Sequence, residues 1–210
     1  MNIVFWGETR QCGTTANLIA TVGAMSAICP QKTTCIGKEA NTTEGKPEFH
    51  FYDGGTGLTE RKRRMLWNAD LVVVNLREDT ACLERYVCAD WHLARRTLVL
   101  LGSYCGDAEA NRAYLERVYR IPREQVIVIP YNNEFHHAML NKSGRTFAER
   151  ESLAPANQKN ERFVGAFGEA VEFILRTQRQ IAAEKERKAY LIREAQTTVQ
   201  RKGRKKLWNR

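Results

Sequence analysis

The chain has 210 residues, 43% apolar and 27% charged, an ordinary soluble composition long enough to bury a core without disulfide or metal staples. Its net charge of +9 is unevenly placed: Arg176 to Arg210 holds twelve Lys/Arg against three acidic residues, so residues 1–175 are neutral, with 21 charges of each sign. A nucleic-acid binder with a basic body is excluded, and any attraction to polyanions falls at the C-terminal end.

In chain order, Asn2–Trp6 is a short apolar run ended by Gly7 and predicts a buried strand. A polar turn follows, and Ala16–Ile28 predicts a helix, with Leu18, Ile19, Val22, Met25 and Ile28 at helical spacing and Pro30 as its stop. Thr33–Ile36 predicts a second strand, and Gly37–Glu48 is polar and irregular. Phe49–Tyr52 predicts a strand, with Asp53-Gly54-Gly55 as the turn that closes it. Thr59–Asn68 predicts a helix with Thr59 as N-cap.

Leu71–Leu76 predicts an apolar strand, Thr80–Ala89 a helix, Leu98–Leu101 a strand and Glu109–Arg120 a helix. Val126–Ile129 is the last strand, ended by Pro130, and Lys159–Gln200 is mostly good helix former. Short strands apolar on both faces, alternating with helices, predict an α/β fold with a mostly parallel sheet flanked by helices. The expected division is a domain over 1–175 and a basic, largely helical or partly disordered tail over 176–210.

Other classes are absent from the pattern. There is no basic segment leading an apolar signal-peptide core, and no run reaches the length of a membrane span. Cys12, Cys29, Cys35, Cys82, Cys88 and Cys105 form no CxxC pair and read as reduced thiols of a cytoplasmic protein. His136 and His137 are adjacent, so on a helix they diverge and do not suggest a metal site.

Open parallel sheets bind ligands at the carboxyl ends of their strands. That directs attention to Gly7–Thr15, Asp53–Gly57, Arg77–Thr80, Gly102–Asp107 and Pro130–Asn133. The first of these, Gly7-Glu8-Thr9-Arg10-Gln11-Cys12-Gly13-Thr14-Thr15, joins a strand to a helix through a glycine-containing loop. Backbone N–H groups in such a loop and the helix dipole favour an anion, and a Thr hydroxyl at the helix start can ligate Mg²⁺. The plainer alternative is that Gly13 permits a tight turn and Thr14 or Thr15 caps the helix. Asp53 could order a metal-bound water or cap the next helix.

The order Gly7–Thr15, Asp53, Ala69–Asn75 and Ile129–Asn132 resembles the ParA/MinD-like group of deviant P-loop ATPases over about residues 1–150. The resemblance implies ATP or ADP with Mg²⁺, bound by Gly7, Arg10, Gln11, Cys12, Gly13, Thr14 and Thr15. It implies Asp53 as the catalytic carboxylate, metal contacts from Thr14, Thr15 and Asp53, and adenine contacts from Pro130, Tyr131 and Asn132. It also implies a homodimer enclosing the nucleotide.

The loop departs from the family pattern K-G-G-x-G-K-[ST]. In one register Thr14 replaces the lysine before the hydroxyl of Thr15; in the other Gly13 replaces it before Thr14. The second signature lysine is also missing, and Arg10 is out of register in both. Loss of a lysine spanning the β- and γ-phosphates is expected to impair hydrolysis more than backbone-mediated binding.

Past Arg176 the apolar pattern thins, and Arg201, Lys202, Arg204, Lys205 and Lys206 form a cationic cluster before Leu207 and Trp208. DNA or another polyanion is the expected partner of this tail, ahead of a solvated tail and of an anionic membrane face. The expected function is a nucleotide-binding, weakly or not hydrolysing protein of DNA partitioning, mobile-element maintenance or intracellular positioning. The alternative is a non-enzymatic scaffold or a module that binds DNA or a protein partner and keeps the fold without its nucleotide chemistry.

Overall fold

The computed structural model describes residues 1–30, 34–36, 48–88, 96–103 and 108–208. They divide into two compact units, Met1–Phe173 and Ile174–Arg210. In the first unit the strands β1 (Asn2–Gly7), β2 (Thr34–Ile36), β3 (Phe49–Thr56), β4 (Leu71–Arg77), β5 (Thr97–Ser103) and β6 (Val126–Pro130) form one sheet in the order β2-β3-β1-β4-β5-β6. Every strand pair is parallel. The parallel pairing follows from strands apolar on both faces, which must be covered twice and joined by helical crossovers.

Helices cover both faces. On one, Val4, Trp6, Val72, Val74, Val99 and Leu101 pack against Leu66 of α2 (Glu60–Trp67), Cys82 and Leu83 of α3 (Thr80–Cys88) and Leu115 of α4 (Ala108–Tyr119). On the other, α1 (Thr14–Ile28) lies along β1 and β3 and packs against α6 (Gly144–Leu153). Contact on both sides explains why α1 buries Thr21, Gly23 and Ala24 as well as its larger apolar residues. A Cβ on Gly23 would stand 2.6 Å from the Arg145 carbonyl oxygen and 2.8 Å from the Ala148 Cβ, so α6 approaches this closely only because residue 23 is glycine. Ile28, expected on the apolar face, is instead 45% exposed at the end of α1.

Asn132 caps α5 (Asn133–Leu140) by accepting the Phe135 N–H at 2.8 Å. Phe135 then meets Phe163 with ring centroids 4.8 Å apart, tying α5 to the first turns of α7 (Gln158–Trp208). As expected, Thr59 caps α2, accepting the Lys62 N–H at 3.3 Å.

Two further expectations change. The helix after β1 begins at Thr14, two residues early, which places both threonines in its first turn. Asp53-Gly54-Gly55 is not a turn that closes a strand; it lies inside β3, which runs to Thr56. The pairing passes from Phe5↔Asp53 to Gly7↔Thr56, so β3 carries one extra residue there. Such a bulge needs backbone freedom. Gly55 supplies a φ of +61°, and a Cβ on Gly54 would lie 2.8 Å from the Phe5 carbonyl oxygen.

In the second unit, α7 continues as helix to Trp208, with Tyr190, Leu191 and Ile192 exposed. Among the described residues, no helix is long and apolar enough to cross a membrane. Residues 37–47 and 104–107, which hold much of two segments singled out in the sequence, lie outside the described residues.

Candidate functional site at the carboxyl end of the sheet

The site starts from the register of three strands. Gly7 pairs with Thr56 of β3 and with Asn75 of β4, so the ends of β1, β3 and β4 stand in one row. The Glu8–Gly13 loop rises from this row and turns into α1 through two positive-φ residues, Gln11 (67°) and Gly13 (75°). Arg10 and Gln11 are exposed on the loop, whereas Cys12 is buried.

Asn17 donates its N–H to the Gly13 carbonyl at 2.7 Å, the first hydrogen bond of α1. The N–H groups of Thr14, Thr15 and Ala16 therefore point off the helix end without a carbonyl of their own. Gly13 offers no side-chain cap, and the first turn contains no acid. This end of α1 is thus positive and open.

The two threonines face different ways. Thr14 is buried, its Oγ1 has no hydrogen-bond partner, and it would lie 2.5 Å from a Cβ on Gly7. Residue 7 must be glycine for the loop to fold back over it. Thr15 is exposed and donates its hydroxyl to Asp53 Oδ2 at 2.5 Å. The other carboxylate oxygen of Asp53 accepts the Gly55 N–H at 2.8 Å. The bulge in β3 therefore aims Asp53 at the start of α1. Trp6 secures the segment beyond, donating its indole N–H to the Gly57 carbonyl at 3.0 Å, and the Lys62 ammonium binds the Thr56 carbonyl.

Beneath the loop lies a polar chain not anticipated from the sequence. Asn17 Nδ2 donates to Asn75 Oδ1 at 2.8 Å, and Asn75 Nδ2 donates to the carbonyls of Trp6 and Val73 at 3.1 and 3.2 Å. Asn75 is fully buried. Its signal was visible: one amide within Leu71-Val72-Val73-Val74-Asn75-Leu76, where a buried polar group must find partners.

Cys12 shares a buried cluster with Cys82, in the first turn of α3, and its sulfur lies 3.1 Å from the Thr9 hydroxyl. Hydrogen bonding with Cys82 and with the hydroxyl and N–H of Thr9 holds the Cys12 thiol down to about 6 against the opposing effect of burial. Cys82 is pushed up by the same hydrogen bond and by burial. Glu8 is also raised, by burial, and Arg85 opposes the shift from 3.8 Å.

A cavity of about 130 Å³ links the start of α1 to the end of β6. Cys12, Gly13 and Asn17 form one wall, and Pro130, Tyr131 and Asn132 another. Tyr131 is exposed, while Asn132 is buried and committed to its cap on α5 and to Asn160 Oδ1 at 2.7 Å. The structure thus gathers Gly7, Cys12, Gly13, Thr14, Thr15 and Asp53 at the strand row, with Pro130, Tyr131 and Asn132 across the cavity. Arg201, Lys202, Arg204, Lys205 and Lys206 lie on the last turns of α7, in the other unit, and their side chains are outside the described residues. Among the described residues no three His, Cys, Asp or Glu side chains gather as a metal site.

A parallel six-stranded sheet, first strand central and loop leading into α1, is the fold of the ParA/MinD P-loop ATPases. The chain is similar to the ParA family ATPase from Chlorobium tepidum TLS, with a TM-score of 0.57 and 11% identity over 79% of this chain and 98% of that one. It is similar to the cell division ATPase MinD from Pyrococcus furiosus, with a TM-score of 0.59 and 12% identity over 82% and 98%. It is also similar to the septum site-determining protein MinD from Pyrococcus horikoshii OT3, complexed with Mg-ADP, with a TM-score of 0.56 and 14% identity over 81% and 96%. No protein-family model matches the chain, and no curated protein sequence does.

Proposed function

We propose that the chain binds a nucleoside di- or triphosphate with Mg²⁺ at the start of α1. It would serve, as ParA/MinD-like proteins do, in DNA partitioning, mobile-element maintenance or intracellular positioning. The observation that carries this reading is the Thr15–Asp53 hydrogen bond beside an uncapped helix end. A hydroxyl and a carboxylate are hard oxygen donors, and Mg²⁺ takes few protein ligands when phosphates complete its shell. The N–H groups of Thr14, Thr15 and Ala16 would hold phosphate oxygens, and Pro130 and Tyr131 would flank the base.

The orientation of the threonines favours the register in which Thr14 holds the lysine position and Thr15 supplies the hydroxyl. Thr14 cannot offer a cation, and Glu8 adds an acid to the loop. Bound Mg²⁺ would supply charge neutralisation, while Asp53 would orient a water. With no lysine on the phosphates, turnover is expected to be slow relative to binding. The same missing lysine favours the second reading, a scaffold of this fold without nucleotide chemistry. Self-association into a dimer and salt-dependent attachment of the basic end of α7 to DNA or another polyanion belong to either reading.

Calorimetry with ATP, ADP and a non-hydrolysable analogue, with and without Mg²⁺, tests the first reading. The expected result is Mg²⁺-assisted binding that Asp53→Ala weakens at least tenfold. No heat at millimolar nucleotide would leave the scaffold reading standing. Reversing Arg201, Lys202, Arg204, Lys205 and Lys206 to glutamate should abolish salt-dependent DNA binding; unchanged affinity refutes the tail assignment.

A further inference from the structure

We propose that Lys62 supplies, from α2, the cation that the Glu8–Gly13 loop lacks, its ammonium leaving the Thr56 carbonyl for the terminal phosphate of a nucleoside triphosphate. The proposal rests on the nucleotide reading and adds a residue to that same site.

Three observations carry it. The first is place. The Lys62 ammonium donates to the Thr56 carbonyl, and Thr56 is the residue of β3 that pairs with Gly7, where the loop begins. A lysine of α2 thus stands at the strand row itself. The second is a chain of short steps toward the start of α1. Lys62 Nζ lies 3.5 Å from where a Cβ on Gly55 would stand, the Gly55 nitrogen is 2.8 Å from Asp53 Oδ1, and Asp53 Oδ2 is 2.5 Å from the Thr15 hydroxyl. The third is charge. Arg85 faces Glu8 at 3.8 Å and Arg77 faces Asp79 at 3.4 Å, so both guanidinium groups already have carboxylates. Lys62 instead donates to a neutral carbonyl.

An ammonium carries three donors on a flexible stem, so it can change partners without moving its helix. A phosphate oxygen is the better acceptor, because the hydrogen bond is then charge-assisted on both sides. Lys62 and Asp53 line one cavity of about 660 Å³, which leaves the stem room to swing. The phosphate it meets follows from the order of the groups. The N–H groups of α1 come first, then Thr15 and Asp53, and Lys62 lies past them on the β3 side. A diphosphate at the helix end stops short of Lys62, and a third phosphate reaches it. Lys62 does not span the β- and γ-phosphates as a loop lysine would, so slow turnover still follows.

The test measures ATP and ADP binding, with Mg²⁺, by calorimetry on full-length wild type, Lys62→Met and Lys62→Arg. Lys62→Met should weaken ATP about tenfold or more and ADP less than about twofold, and Lys62→Arg should regain most of the ATP affinity. Equal losses for both nucleotides would make Lys62 a structural tie to Thr56 and overturn the proposal. Wild type that binds ATP, with Lys62→Met unaffected, overturns this proposal alone. Wild type that binds neither nucleotide overturns the nucleotide reading and this one with it. Should Lys62→Met fail to fold, reductive methylation of wild-type lysines, mapped by mass spectrometry, decides. ATP with Mg²⁺ should protect Lys62 and ADP should not; equal protection, or none, overturns the proposal.

Discussion

Two polar clusters in the first unit are built in opposite ways. Glu151 is buried, and its carboxylate accepts four hydrogen bonds: two from Arg150 at 3.0 and 2.7 Å, one from the Ala156 N–H at 2.7 Å and one from Asn160 at 3.0 Å. Asn160 accepts from Asn132 and also donates to Glu134 at 3.0 Å. Around Thr15, by contrast, one exposed hydroxyl meets one exposed carboxylate, Thr14 Oγ1 has no partner, and the helix end is uncapped. The first cluster has its hydrogen-bonding capacity filled from within the chain and holds α5, α6 and α7 in place. The second leaves donors over, and leftover donors at a strand end are what a ligand can use.

Mutation can break this contrast, and the largest effect is expected at the filled cluster. Glu151→Ala takes the acceptor from the Ala156 N–H and leaves a hydrogen bond of the fully buried Asn160 amide unmade, and should cost about 2–4 kcal/mol in urea denaturation. A loss below about 1 kcal/mol would mean that water replaces the carboxylate. Gly23→Val should cost about 1–3 kcal/mol by forcing α6 away from α1, measured the same way. Thr59→Ala, the loss of a simple cap, should cost about 1 kcal/mol. Thr15→Ala should change stability by less than about 0.5 kcal/mol, because an exposed pair contributes little. A large loss at Thr15 would make the open cluster structural and erase the contrast.

A pH experiment sharpens the same comparison. Burial pushes the Glu151 carboxyl up, but the hydrogen bonds from Ala156, Arg150 and Asn160 outweigh it and hold the group below its ordinary value. Its stabilisation is therefore complete above the unfolded value of about 4.3 and is lost as pH falls through the lower folded value. Glu151→Gln should flatten the acid limb of the stability profile, read from urea denaturation across about pH 2–6; an unchanged limb would mean that the buried carboxylate does not drive it.

Much of this architecture was legible in the sequence, because strands buried on both faces leave the same apolar signature wherever they occur. Val72–Val74 and Leu98–Leu101 announced the parallel sheet, and Thr59 announced the start of α2. The grouping of Gly7–Thr15 with Asp53 and Pro130–Asn132 followed from the rule for strand ends. What stayed hidden depended on partners distant in sequence. Asn75 looked like part of an apolar run until Asn17 and Trp6 came to meet it. Nothing in the sequence near Glu151 reveals that Asn160 folds back over it. Gly54-Gly55 looked like a turn, since a bulge and a turn use glycine for the same freedom.

The central place of β1 also bears on how the chain is made. Ile3 pairs with Phe51 on one side and with Leu71 on the other. At a synthesis rate of ~5–20 residues per second, β1 waits roughly 4–14 s before the last of β4 exists to pair with it. Until β3 has emerged Ile3-Val4-Phe5-Trp6 has both edges unpaired, and until β4 has emerged one edge stays open, the kind of apolar β-former that seeks a foreign strand. The nascent chain should accordingly depend on holdase chaperones until β4 has emerged. Slowing translation between Gly7 and Asn75 should lower soluble yield more than slowing it after Pro130.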